Sequence, residues 1–249
     1  MKEQFFAACS GGTEAILEQE LNNLSIESKR QSLGCEFTAE FPQVLEFLTK
    51  TRCSDRVYWK LFETTFENED EYYSAIHKHA WNEVFAIGRT FKVATSLAPG
   101  PNKERSKFTN TLYLSRLAKD AIVDQFKKKC KNKRPDVDTK SPDLIIKVFI
   151  QPIDEKKHRL SVLLDLSGRP LYKRGYRISG AEAPMKENLA ASLLLMGGWS
   201  PKDQHLLDPF CGSGTFILEA LLIKSGLSPQ FLQIKREQEF SFMHLNRFK

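Results

Sequence analysis

The chain has 249 residues, 41% of them hydrophobic and 27% charged, enough to bury one large core or two smaller ones. No apolar run approaches the roughly 20 residues needed to cross a bilayer, and the start, MKEQFFAACSGG, is too briefly apolar for a signal peptide, so no membrane is expected as a partner. Cys9, Cys35, Cys53, Cys130 and Cys211 are scattered with no C-x-x-C pair, which argues against a disulfide framework or zinc knuckle and for a reduced, cytoplasmic protein.

In chain order, residues 4–9 (QFFAAC) read as a short buried strand. Thr13 is a candidate N-cap for a helix carrying Leu17, Leu21 and Leu24. CEFTAEF (35–41) alternates apolar and polar residues, as a half-buried strand does. Pro42 opens a helix with Val44, Leu45 and Leu48, and RVYWKLF (56–62) is a further strand. The order β-α-β-α-β within 60 residues suggests a small α+β unit of ferredoxin-like character.

A second α+β unit follows. Residues 71–81 are helical and 90–95 alternate like a strand, before a loop rich in proline and basic residues (97–108). Leu114, Leu117, Ala118, Ala121, Ile122 and Phe126 then mark one face of a long helix. LIIKVFI (144–150) and LSVLLDL (160–166), joined by PIDEKKHR, form a hairpin. After it, ISGAEAPMKENLAASLLLMGGW holds a linker and an apolar helix, Lys186 to Met196, ended by a glycine pair.

The net charge of +6 and pI near 9.0 say little alone, but the charge is patterned. FKKKCKNKRPDVDTK (126–140) holds seven basic and two acidic residues, RPLYKRGYR (169–177) holds four basic ones among aromatic residues, and FETTFENEDE (62–71) is acidic. A face suited to a polyanion is expected. Lys103, Arg105 and Lys107 in the proline loop are candidate RNA contacts, with Arg116, Lys119, Lys127 and Lys128 on the long helix. Lys173, Arg174 and Arg177 add to them, with Tyr172 and Tyr176 as stacking planes for unstacked bases. The lysine run at 127–129 equally fits a solvated helix end favoured by the dipole. His77 and His79 form H-x-H without a third ligand nearby, so no metal site is expected.

The most informative stretch is LLDPFCGSGTF (206–216). It has the form of a buried strand ending in Asp208, a turn with Gly212 and Gly214, and a helix from TFILEALLI. Glycines let a ligand approach backbone that any Cβ would shield. Thr215 and Phe216 stand where a Walker loop would need lysine, and Phe216 where a dinucleotide fold has its third glycine. A cofactor without phosphates fits better. S-adenosylmethionine is one, with a charged amino-acid end and a sulfonium that would suit Asp208. Cys211, with no flanking base, reads as a small apolar filler rather than a nucleophile.

Together, LDLSGRPLYKRGYR, EAPMKENLAASLLLMGGW and LLDPFCGSGTFILEA resemble the bacterial THUMP-domain RNA methyltransferases that modify guanine N2 in large-subunit ribosomal RNA. The resemblance covers essentially the whole chain. It implies an α+β fold, with a ferredoxin-like subdomain (1–60), a THUMP RNA-binding domain (61–167) and an incomplete Rossmann-like methyltransferase segment (168–249). It implies S-adenosylmethionine against Asp208, Pro209, Cys211, Gly212, Ser213, Gly214 and Thr215, with Ala183–Glu187, including Pro184, Lys186 and Glu187, beside its methionine end. Read from the residues alone, Pro184 and Glu187 could equally begin a helix. The partner implied is structured RNA, of the 23S-type large-subunit rRNA.

The departure from the family pattern lies after the glycine turn. The family's N-P-P-Y-like tetrapeptide, which holds the target amino group, has no counterpart: eleven prolines include no Pro-Pro pair, and no catalytic residue can be named. Glu237 and Glu239 stand where a ribose carboxylate might be sought, but no buried strand precedes them. Two readings therefore stay open, a guanine-N2 methyltransferase and a catalytically dead RNA-binding module left by truncation, possible completion by a second chain included. A nucleotide-binding regulatory protein unrelated to RNA is a weaker third, opposed by the basic clusters. The strand at 206–208 would lack neighbours, so the apolar surface of residues 193–196 and 217–223 is expected to be partly exposed.

Overall fold

A computed structural model describes residues 2–98, 100, 107–177, 185–236 and 240–248. The contacts divide the chain into two units, Met1–Tyr58 with Arg169–Glu239, and Trp59–Gly168 with Phe240–Lys249.

The first unit begins with strand β1 (Glu3–Cys9), whose period-two pattern buries Phe5, Ala7 and Cys9. Helix α1 (Glu14–Asn22) buries Ile16, Leu17 and Leu21. Thr13 does not cap it through its side chain; its hydroxyl donates back to the Ser10 carbonyl at 2.7 Å. Strands β2 (Ser28–Gln31) and β3 (Gly34–Ala39) form a hairpin, with β3 antiparallel to β1 and Phe5 opposite Phe37. Gly34 is obligatory there, since a Cβ would lie 2.2 Å from the Ala7 carbonyl oxygen. Helix α2 (Phe41–Lys50) carries Pro42 in its first turn, and Gln43 accepts from the Glu40 amide at 3.1 Å.

Strand β4 (Ser54–Phe66) completes β-α-β-β-α-β, in the sheet order β2-β3-β1-β4. That is the ferredoxin-like arrangement expected from the sequence, with the edge strand β2 added. Phe5 stacks on Phe37 at 5.5 Å and meets Phe41 of α2 edge-on at 5.3 Å, which joins β1, β3 and α2 in one aromatic cluster.

The later part of this unit is helical: α6 (Glu187–Met196), α7 (Thr215–Lys224) and the short α8 (Phe231–Lys235), with α6 and α7 packed together. The strand expected at Leu206–Asp208 does not form among the described residues. A parallel strand is stable only with neighbours that satisfy its backbone and cover both faces, and none is present here.

In the second unit β4 continues into the order β4-β7-β6-β5. Strands β6 (Leu144–Pro152) and β7 (His158–Asp165) are the expected hairpin, and β5 (Phe91–Leu97) runs parallel to β6. Helix α3 (Glu69–Lys78) is capped by Asn68, which accepts from the Glu71 amide at 2.9 Å. The short α4 (Trp81–Val84) follows it. Helix α5 (Thr111–Lys129) is capped by Asn110 and buries Leu114, Ala118, Ala121, Ile122 and Phe126. Leu117 is only half-buried, unlike its sequence reading. Phe85 links Phe91 and Phe126 at 5.6 and 5.0 Å, so α5 and β5 close on one aromatic core.

Residues 240–248 also pack in this unit. The Phe242 amide donates to the Leu166 carbonyl, the Ser241 hydroxyl donates to the Asp143 carbonyl at 2.8 Å, and Leu245 is fully buried.

Candidate functional site

The glycine turn enters α7 with two residues in the left-handed region, Gly212 at φ 51° and Gly214 at φ 70°. Gly214 is the N-cap, and its amide donates to the Cys211 carbonyl at 2.7 Å. A Cβ built on either glycine would meet nothing within 4 Å, so one side of the turn faces open space. Glycine is used here for the left-handed bend, which L side chains rarely adopt. Asp208 accepts from the Phe210 amide at 3.2 Å, and Ser213 and Thr215 hydroxyls lie 3.1 Å apart. Pro209, Cys211 and Ser213 are exposed, so Cys211 is no buried filler. Leu207 and Phe210 are 87% and 93% exposed.

A second segment meets the turn. Lys186 is the N-cap of α6 and Glu187, its first residue, is buried. Pro184, Ala183, Glu237 and Glu239 lie outside the described residues. Arg177 joins the two helix starts: its Nη2 donates to the Met185 carbonyl at 2.9 Å and the Thr215 hydroxyl at 3.2 Å, and its Nε is 3.4 Å from Glu187.

Behind this lies a buried charge network that sequence reading missed. Arg174 is 1% exposed; it donates to the Leu171 and Arg52 carbonyls at 2.7 and 2.5 Å, and its Nε is 3.5 Å from the Glu219 carboxylate. Glu219 also accepts from Tyr176 at 2.9 Å. Burial pushes the Glu219 carboxyl up from its ordinary range, while Arg174, Tyr176 and Arg52 pull it back. Arg52 donates to the Leu222 and Leu227 carbonyls, and burial lowers its proton affinity. Glu20, likewise raised by burial, accepts from the Thr51 hydroxyl and the Arg52 and Cys53 amides. The available signal was Glu219 itself, a lone acid within the apolar run TFILEALLI.

Arg174 therefore corrects the sequence reading. Its guanidinium is enclosed by protein acceptors and is not presented to a nucleic acid.

Lys173 is exposed, and Lys186 lies over the Tyr172 ring at 5.0 Å. In the second unit, Lys103 and Arg105 lie outside the described residues, and Lys107 donates to the Glu67 carbonyl at 2.5 Å. Arg116 and Lys128 are exposed on α5; Lys119 pairs with Asp120, and Lys127 with Asp124 at 3.1 Å.

Three family models match the chain in succession: the RlmL ferredoxin-like domain over residues 4–58, the THUMP domain over 66–152, and the RMKL-like methyltransferase domain over 174–246. Each segment is similar to the family whose model it matches, and together the three matches run through most of the chain. "Ribosomal RNA large subunit methyltransferase K/L" of Buchnera aphidicola subsp. Acyrthosiphon pisum is 36% identical over 92% of the chain. The protein of the same description from Syntrophotalea carbinolica is 33% identical over 91%. The chain spans 31% of the length of each.

A Listeria monocytogenes protein titled "predicted N6-adenine-specific DNA methylase" superposes with TM-score 0.81 at 26% identity, covering 100% of this chain and 61% of that one. SMU.472, a methyltransferase by its description and complexed with SAH, gives TM-score 0.80 at 27% identity, covering 98% of this chain and 60% of that one. The α+β class with ferredoxin-like and THUMP parts is the one expected from the sequence, and the structural neighbours place the segment after it among methyltransferase folds.

Proposed function

We propose that this chain supplies the RNA-holding part and one wall of the cofactor pocket of an S-adenosylmethionine-dependent enzyme that methylates guanine N2 in large-subunit rRNA. The observation that carries the reading is the open glycine turn of a methyltransferase segment, placed in sequence directly after a THUMP domain.

The residues present fit the cofactor's amino-acid end. The α7 N-terminus offers unpaired amides and a positive dipole end for its carboxylate, and the Asp208 carboxylate suits its ammonium group and sulfonium. The cofactor supplies an activated methyl group. The chain's own part is to seat it, through Asp208, Gly212, Ser213, Gly214 and Thr215, while Lys186 and Glu187 stand at the adjoining helix start. Pro209 and Cys211 shape the bend. RNA is drawn by Arg116, Lys119, Lys127 and Lys128 on α5 and by Lys107 and Lys173, with Lys103 and Arg105 completing the proline-loop cluster in sequence.

A second reading, an RNA-binding module without turnover of its own, accords with the exposure of Leu207 and Phe210 beside the turn among the described residues. A partner chain that covers those residues would convert the second reading into the first.

Calorimetry with S-adenosylhomocysteine and filter binding with large-subunit rRNA fragments separate the two. Saturable binding of both ligands supports the first reading, and RNA binding alone supports the second. Failure to bind RNA would sink both.

A further inference from the structure

We infer that Arg177 is a positioning residue, which locks the glycine turn to the α6 start and so holds the cofactor-facing amides in place, rather than a contact for RNA phosphate. This rests on the cofactor reading above. Two observations carry it. First, the guanidinium is already occupied: Nη2 serves both the Met185 carbonyl and the Thr215 hydroxyl, and Nε faces Glu187, a carboxylate that is only 5% exposed as a residue. Its charge is compensated within the protein, so little remains to attract a polyanion.

Second, the location is one that electrostatics alone would not choose. The guanidinium sits at the first residues of both α6 and α7, where the helix dipoles disfavour a cation. Glu187 offsets that repulsion. What the arrangement gains is geometric: Nη2 alone reaches two chain segments separated by 30 residues of sequence, Met185 and Thr215, while Nε of the same rigid plane faces Glu187. From Thr215 the chain of contacts continues to Ser213 inside the turn. A left-handed pair of glycines has many other conformations available, and a lock at the helix start selects this one. Thr215, 5% exposed, is too enclosed to be held by solvent instead.

The test compares Arg177→Ala and Arg177→Lys with the unaltered chain in S-adenosylhomocysteine affinity, salt dependence of RNA binding, and amide exchange at Leu218–Ala220, the first hydrogen-bonded amides of α7. Lysine keeps the charge but has one nitrogen where arginine uses two, Nη2 for the Met185 and Thr215 oxygens and Nε towards Glu187. A positioning role predicts that both variants lose roughly tenfold in cofactor affinity, as for one charge-assisted hydrogen bond. Both should also exchange the first α7 amides faster, with an unchanged salt slope for RNA.

A phosphate contact predicts the reverse: the Lys variant resembles the unaltered chain, the Ala variant loses salt slope, and cofactor affinity is unmoved. That result overturns the inference. If the unaltered chain binds no cofactor, the cofactor reading fails, yet amide exchange still decides whether Arg177 holds the turn. Unchanged exchange in both variants would sink the positioning role.

Discussion

Arg174 lies in the interior of the first unit, which is tolerable only because carbonyls and a carboxylate surround it. Arg174→Ala would leave Glu219 buried beside Tyr176 without its main counter-charge. The expected loss is about 3–5 kcal/mol, read as a lowered urea midpoint of the first unit. A loss below about 1 kcal/mol would mean that the pair is solvated in solution. His158 presents the opposite case in the second unit. It is 1% exposed, with Phe66 and Phe108 rings at 5.5 and 5.0 Å and its Nδ1 3.0 Å from the Lys156 carbonyl.

Burial lowers the His158 proton affinity and Lys107 adds to this, while the Lys156 carbonyl and Asp154 oppose it. The unfolded imidazole takes up its proton near its ordinary value of 6.5, and the folded one only below that. The stabilisation is therefore present above pH 6.5 and is lost as pH falls through the folded value. Thermal midpoints of the second unit should drop between about pH 7.5 and about pH 5.5, and His158→Leu should flatten that slope. An unaltered slope in His158→Leu would assign the acid sensitivity elsewhere.

Among the elements, α5 was legible because Leu114, Ala118, Ala121, Ile122 and Phe126 recur at helical spacing. Strand β2 was not, because SKRQ has no apolar residue: it is held at a sheet edge by backbone pairing to β3 and by Arg30, whose Nε lies 2.8 Å from the Glu18 carboxylate. The stretch Leu206–Asp208 failed in the other direction. Its apolarity signals burial, but the partner that would bury it is absent from the described residues, and propensity without a neighbour makes no strand. The glycine turn was readable because Gly212 and Gly214 encode their conformation locally. Arg174 was not, because its acceptor Glu219 lies 45 residues further along the chain. Phe210 gives the element its test. At 93% exposure, Phe210→Ser should change stability by no more than about 0.5 kcal/mol. It should also reduce self-association measured by sedimentation, since an apolar patch with Leu207 is removed. A large fall in thermal midpoint would show that Phe210 is covered in solution.

At the scale of the molecule, the net charge of +6 matters less than where the unpaired cations stand. The α5 end illustrates the distinction. Lys119 and Lys127 have carboxylate partners on their own helix, whereas Lys128 and the following Lys131 are exposed, with Lys131 in the left-handed turn that ends the helix. The helix dipole favours cations there whether or not RNA binds, so exposure alone does not decide their role.

Salt dependence does decide it, because only a cation that displaces counterions from a phosphate changes the slope. Each phosphate contact contributes about 0.7–0.9 to the slope of log affinity against log salt. Lys128→Gln combined with Lys131→Gln should therefore lower the slope by roughly 1–2 in filter binding with an rRNA fragment. Lys127→Gln alone should lower it less, since Asp124 already competes for that ammonium group. Equal slopes for all these variants would remove the α5 end from the RNA surface and leave the dipole as the reason for its lysines.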